Sequence, residues 1–113
     1  MPLRAEVQIN IVLEPDLLIG PEVIGLLAAI VDNGSITAAA KASGISYKKA
    51  WYMVERLNKA FGKPLVGTSK GGGGHGGAAL TDTGVEVVRL YREISAGAEE
   101  RSGELRKLAA LLA

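Results

Sequence analysis

Eleven residues in the middle of the chain, Ser46-Tyr-Lys-Lys-Ala-Trp-Tyr-Met-Val-Glu-Arg56, bring together side chains suited to gripping an anion. Ser46 is a residue type that caps helix N-termini, and a helix starting after it leaves its first N–H groups free for a ligand. Lys48, Lys49 and Arg56 reach phosphates or guanine acceptors, and a tyrosine hydroxyl such as that of Tyr52 usually takes a phosphate. At about 100° per residue, Lys48, Tyr52, Glu55, Arg56 and Lys59 share one side of such a helix. Tyr47, Ala50, Val54, Leu57 and Phe61 fall within about 80° of one another and form the inward stripe. Tyr47 therefore has two open readings, contact and packing. Trp51, at the edge of the stripe, reads as core-to-surface packing rather than as a base contact.

A second group lies at Lys70 to Gly77, where four glycines precede His75 and two follow it. Backbone N–H groups in so small a loop can approach phosphates or enter a minor groove, with Lys70 and His75 adding charge or donors. Gly72 and Gly73 sit at the tip. The other reading is a hairpin tip with no partner. The run satisfies G-x-G-x-x-G only trivially, since a dinucleotide fingerprint follows a strand and opens a helix. Gly62-Lys63 is followed by Pro64, which removes a phosphate-binding P-loop.

Catalytic chemistry has no comparable constellation. The 113 residues include no cysteine and one histidine, so thiolate sites, disulfides and a multi-histidine metal centre within one chain are excluded. His75 has no nucleophile at a recognisable spacing, Ser35 and Ser46 sit where caps are wanted, and Glu99, Glu100 and Glu104 fit a solvated helix face. The expectation is a protein that is not an enzyme and needs no cofactor.

The formal net charge of +1 conceals an uneven distribution. Residues 41–70 carry seven basic side chains against one acid, a local +6, and the remainder is −5. Charge collected in this way suits a polyanion. No apolar run approaches the roughly 18 to 20 residues of a membrane span, and the N-terminus has no signal-peptide pattern, so the expected location is cytoplasmic without membrane contact.

Positioning these groups requires a scaffold whose elements are well punctuated. Residues 5–14, AEVQINIVLE, alternate Val7, Ile9, Ile11 and Leu13 with polar positions and predict a strand that stops at Pro15-Asp16, with a loop following. Gly20-Pro21 starts a helix with the stripe Ile24, Leu27, Ala28 and Val31, and Asn33-Gly34 ends it. Ser35 caps a short alanine-rich helix, Ser43-Gly44 turns, and Ser46 caps the helix described above. Gly62 and Pro64 close it. Leu65 to Ser69 and Ala78 to Thr81 would form a hairpin around the glycine run. From Thr81, positions 84, 87, 91, 94, 98, 101, 105, 108 and 112 make a coiled-coil-like seam, weakened by Gly84 and Arg101, along one long helix over 81–112. Gly97 and Gly103 each cost such a helix about 1 kcal/mol relative to alanine.

The string GSITAAAKASGISYKKAW, followed by LN, FGKPLV, the glycine-rich loop, ALTDTG and RLY, resembles the N-terminal winged-helix domain of the molybdate-responsive ModE regulators. It is more distantly similar to the helix-turn-helix of LysR-type regulators. Ser46, Tyr47, Lys48 and Trp51 fall on the family's S-Y-K-x-A-W signature, and Gly71 to Gly74 on its glycine-rich loop. The resemblance spans about residues 5–95. It implies a mainly α winged helix-turn-helix with a small β component, binding double-stranded DNA as a homodimer with the third helix in the major groove. Lys48, Lys49, Tyr52, Ser46 and Arg56 would form the groove surface, Lys70 and the tip the wing contact, and the last helix the dimer contact. Full-length regulators of this kind carry molybdate-binding modules after the long helix. The sequence stops at Ala113, so the expectation is a single domain over 1–113 without such a module, with molybdate sensing not carried over and no effector assigned. The alternatives are a protein-interaction module built on the C-terminal helix and a regulator sensing an oxyanion at the glycine loop or dimer interface.

Overall fold

The computed structural model describes residues 5–13, 16–70 and 76–112. In chain order it contains β1 (Ile11–Leu13), β2 (Leu17–Ile19), α1 (Pro21–Asn33), α2 (Ile36–Ser43), α3 (Tyr47–Ala60), β3 (Val66–Lys70), β4 (Gly76–Leu80), α4 (Asp82–Glu99) and α5 (Ser102–Ala109). This is a winged helix-turn-helix.

Capping explains the short helices. Pro21 occupies the first turn of α1, and Gly34, at φ 73°, returns its N–H to the Ile30 carbonyl at 2.8 Å. One residue later the Ser35 hydroxyl accepts from the Ala38 N–H at 3.0 Å and opens α2. Gly44, at φ 71°, ends α2, and the Ser46 hydroxyl accepts from the Lys49 N–H at 3.0 Å to open α3. Both left-handed positions are glycines, where a Cβ would be strained.

The core is built from Ile24, Leu26, Leu27 and Ile30 of α1, Ile36, Ala39 and Ala40 of α2, and Ala50, Val54 and Leu57 of α3, closed by Leu17, Ile19, Leu65 and Val66. The sequence stripe in α1 was set one position too far round: Val31 is 61% exposed, and Leu26 and Ile30 are fully buried. α1 is covered from several sides at once, by α2, β2 and β4, so its buried face is broader than one amphipathic stripe and centred elsewhere.

Three further expectations are corrected. Strand pairing occupies only Ile11 to Leu13 of the alternating segment 5–14, antiparallel to β2 with Ile11 opposite Ile19, where a loop was expected. The partner offers three residues, so pairing cannot extend further. The preceding residues are instead tied by the Tyr91 hydroxyl, which donates to the Ile9 carbonyl at 2.8 Å. The expected helix over 81–112 is divided at Glu100–Arg101, where Arg101 takes φ −93°, ψ 25°. Gly97 and Gly103 flank the break, and neither has a neighbour within 4 Å of a built Cβ, so no packing there offsets their cost. The seam also faces its own chain over its first turns: its members Gly84 and Tyr91 are buried within the subunit beside Val88, whereas its later members Ile94, Leu108 and Leu112 are exposed, as are Val85 and Leu90 outside it.

The β3–β4 hairpin pairs Val66 with Leu80 through Lys70 with Gly76. It is pinned where the Ala78 N–H donates to the Gly34 carbonyl at 2.8 Å, joining the wing to the end of α1. At its base the Thr81 hydroxyl donates to the Pro64 carbonyl at 2.6 Å and accepts from the Gly84 N–H at 3.1 Å, starting α4. α4 and α5 extend the molecule to 56 × 29 × 21 Å, and its radius of gyration of 16.6 Å exceeds the roughly 13 Å of a compact chain this long. Among the described residues no helix is long and apolar enough to cross a membrane.

Candidate nucleic-acid interface

With Ala50, Val54 and Leu57 turned into the core, the about 100° step of α3 distributes its other side chains over three strips. Lys48, Tyr52, Glu55 and Lys59 point outward. Lys49 and Arg56 lie on the flank toward α1 and the β1–β2 hairpin, and Tyr47, Trp51 and Asn58 on the flank toward the β3–β4 wing.

The outward strip is exposed, and Lys48 makes no ion pair among the described residues, whose surface pairs involve Lys49, Arg56, Arg89 and Arg101. Ser46 stands at the head of α3. Its hydroxyl satisfies the Lys49 N–H and leaves the first N–H groups of the helix without intrahelical acceptors. An anion placed there meets those groups and the positive end of the helix dipole.

The flank toward α1 carries a feature that helical spacing does not reveal. Lys49 Nζ lies 3.0 Å from Glu22 Oε2 in the first turn of α1. Arg56 Nη2 donates to both the side chain and the carbonyl of Asp16 at 3.1 Å, and Nη1 donates to the Tyr52 hydroxyl at 3.3 Å. The guanidinium also lies 5.9 Å from the centroid of the Tyr52 ring. The hydrogen bond to Tyr52 and then the charge of Asp16 hold the Arg56 pKa above its ordinary value, so this group remains cationic. Asp16 and Glu22 were absent from the sequence reading because their partners are 40 and 27 residues away.

On the opposite flank Tyr47 and Trp51 stack with ring centroids 6.5 Å apart and planes 14° from parallel. Tyr47 is 55% exposed and Trp51 39%, which overturns the packing reading of Tyr47 and moves Trp51 further outward than the inward stripe suggested. The small Ala50 closes the core at this end of α3, so neither ring is drawn inside. Asn58 completes this flank. Its Oδ1 accepts from the Leu65 and Val66 N–H groups at 2.9 and 3.0 Å, and its Nδ2 donates to the Val66 carbonyl at 3.0 Å. One side chain thus fixes the start of the wing relative to α3. The sequence signal for it was a lone amide next to the core residue Leu57, which has no periodicity.

Lys70 contributes backbone to β3, opposite Gly76. Its side chain, and Gly72, Gly73 and His75, lie outside the described residues. The structure therefore brings Ser46, Tyr47, Lys48, Lys49, Tyr52 and Arg56 together on one exposed helix, with the described part of the wing beside it.

Comparison with known proteins follows this geometry. Residues 22–85, from the first turn of α1 to that of α4, match the model of the bacterial regulatory helix-turn-helix proteins of the lysR family. The chain is 45% identical over 69% of its length to the molybdenum-pterin-binding protein MopB of Rhodobacter capsulatus, covering 29% of that protein. It is 39% identical over 79% of its length to the DNA-binding transcriptional dual regulator ModE of Escherichia coli K12, covering 34% of it. The chain thus spans about a third of the length of these relatives. The fold is shared with ArgP from Mycobacterium tuberculosis, at a TM-score of 0.53 and 22% identity over 75% of this chain and 30% of that one.

Proposed function

We propose, for a chain that belongs to the bacterial regulatory helix-turn-helix family of the lysR type, that it binds specific DNA sequences as a homodimer and regulates transcription. Sequence-specific DNA binding follows from the family and from the regulators it resembles. The observation that carries the finer reading is the outward strip of α3, where a capped N-terminus, Lys48 and Tyr52 stand exposed over a fully packed inner face. A helix so presented enters the major groove, with its N-terminal residues at base edges and its cations on phosphates. The β3–β4 wing lies on the adjoining backbone or minor groove, using Lys70, Gly72, Gly73 and His75.

The homodimer contact is assigned to α4 and α5, whose Leu90, Ile94 and Leu108 remain exposed on one chain, with Leu112 just beyond the end of α5. Each subunit reads one half-site, and the two are separated by about one helical turn of DNA or a multiple of it. The reaction class is binding rather than catalysis, and the place of action is the cytoplasm. DNA binding is carried over from the relatives and molybdenum binding is not, because the matched residues form the winged helix alone.

Selection of bound duplexes from a random pool identifies the operator, and titrations of wild type and of the Lys48→Ala/Lys49→Ala variant against it test the contact face. Each lysine that neutralises a phosphate contributes about 0.9 to the slope of log affinity against log salt, so the double variant binds more weakly and with a slope flatter by up to about 2 per subunit. A folded variant with wild-type affinity and slope overturns the assignment of α3. Sedimentation of the free protein as a monomer overturns the homodimer.

A further inference from the structure

Two of the cations on the proposed reading helix are already engaged by carboxylates of the same chain, and those carboxylates come from outside α3. Glu22 belongs to the first turn of α1 and Asp16 to the turn before β2, and both face the same flank of α3. Both pairs are exposed to solvent, with Glu22 57% and Asp16 74% exposed at their side chains. Exposed pairs of this kind add little to folding, so stability alone is a weak reason for aiming two of them at one edge of an anion-binding surface.

We infer that Asp16 and Glu22 are specificity-determining residues, holding Arg56 and Lys49 back from phosphates on DNA of the wrong sequence. The inference rests on the DNA-binding reading above. Non-specific binding consists almost entirely of cation–phosphate contacts, loosely seated and salt-dependent. A lysine 3.0 Å from a carboxylate brings no net charge to such a contact unless the pair is first broken. On a cognate groove many contacts form together, and the cost of breaking both pairs is offset by base contacts that a random sequence does not offer. The carboxylates therefore lower non-specific affinity more than specific affinity. Glu22 also has a local reason to be acidic, since it lies at the N-terminus of α1, where the helix dipole favours negative charge. That reason involves no dependence on Lys49, which separates the two explanations.

The test measures the affinity of wild type, Glu22→Gln, Asp16→Asn and the double variant for two short duplexes, one of scrambled sequence and one recovered by selection. Glu6→Gln serves as the charge control, because it removes one negative charge near Ala98 of α4 and Leu105 of α5, away from α3. The expected result is a gain of about twofold to fivefold on the scrambled duplex for each of Glu22→Gln and Asp16→Asn, with a steeper salt slope and a smaller gain on the selected duplex. In the Lys49→Ala background the gain from Glu22→Gln falls below about twofold, since the paired cation is gone. Equal gains from Glu6→Gln, equal gains on both duplexes, or an unchanged Glu22→Gln effect without Lys49 each overturn the inference and leave the DNA-binding reading standing. A wild-type protein that binds neither duplex overturns both.

Discussion

Gly84→Ala tests how tightly the wing and α4 are locked together. A Cβ built at Gly84 overlaps the carbonyl oxygen of Leu65 and lies 3.1 Å from its carbonyl carbon and 3.4 Å from its Cα. The obstacle is backbone, so no side chain can rotate away, and relief requires α4 and the start of β3 to separate by something on the order of 1 Å. Overpacking of this kind costs about 1 to 3 kcal/mol. The same carbonyl accepts the Thr81 N–H at 2.9 Å, and disturbing that bond adds about 1 kcal/mol. The better helix propensity of alanine returns up to about 1 kcal/mol. The net expectation is a loss of about 1 to 4 kcal/mol, which in a domain this size lowers the thermal midpoint by roughly 5 to 20 °C. Urea and thermal unfolding followed by circular dichroism read both quantities. A loss below about 0.5 kcal/mol refutes the close approach of α4 to Leu65.

Other predictions have different signs and readouts. Gly97→Ala and Gly103→Ala, where a Cβ meets nothing within 4 Å, raise stability by up to about 1 kcal/mol each, and a destabilising effect at either position contradicts their open surroundings. Asn58→Ala removes three hydrogen bonds and leaves the N–H groups of Leu65 and Val66 without that acceptor; a cost of about 2 to 4 kcal/mol is expected, together with faster amide exchange in β3, and protection equal to wild type argues against its role. Trp51 is the only tryptophan, so its emission reports on one flank of α3; duplex DNA should change its intensity or maximum, and an unaltered spectrum at saturation places that flank away from the DNA.

Much of this architecture is written in local punctuation. Ser35, Ser46 and Thr81 each cap a helix where the sequence suggested, and Gly34 and Gly44 take the left-handed conformation that ends the preceding ones. Such signals involve residues three or four positions apart, which sequence patterns capture well. The reading failed where a partner distant in the chain decides the outcome. Val31 was assigned to the core by periodicity and is exposed, because the elements packed around α1 (α2, β2, β4 and α4) set its orientation. Gly84 looked like a flaw in a seam and is a clearance for the Leu65 backbone. The candidate site divides in the same way: Lys48 and Tyr52 are legible from the helical wheel, whereas the pairing of Lys49 and Arg56 depends on Glu22 and Asp16, whose proximity no spacing rule encodes.

The bond from Tyr91 to Ile9 spans 82 residues and sets an order of events. At a synthesis rate of about 5 to 20 residues per second, roughly 4 to 16 s separate the appearance of the acceptor from that of its donor. Helices α1 to α3 lie between them, and helical turns with their nearest contacts form in microseconds to milliseconds. The reading helix can thus be assembled on the nascent chain while the segment around Ile9, although made earlier, still lacks its anchor.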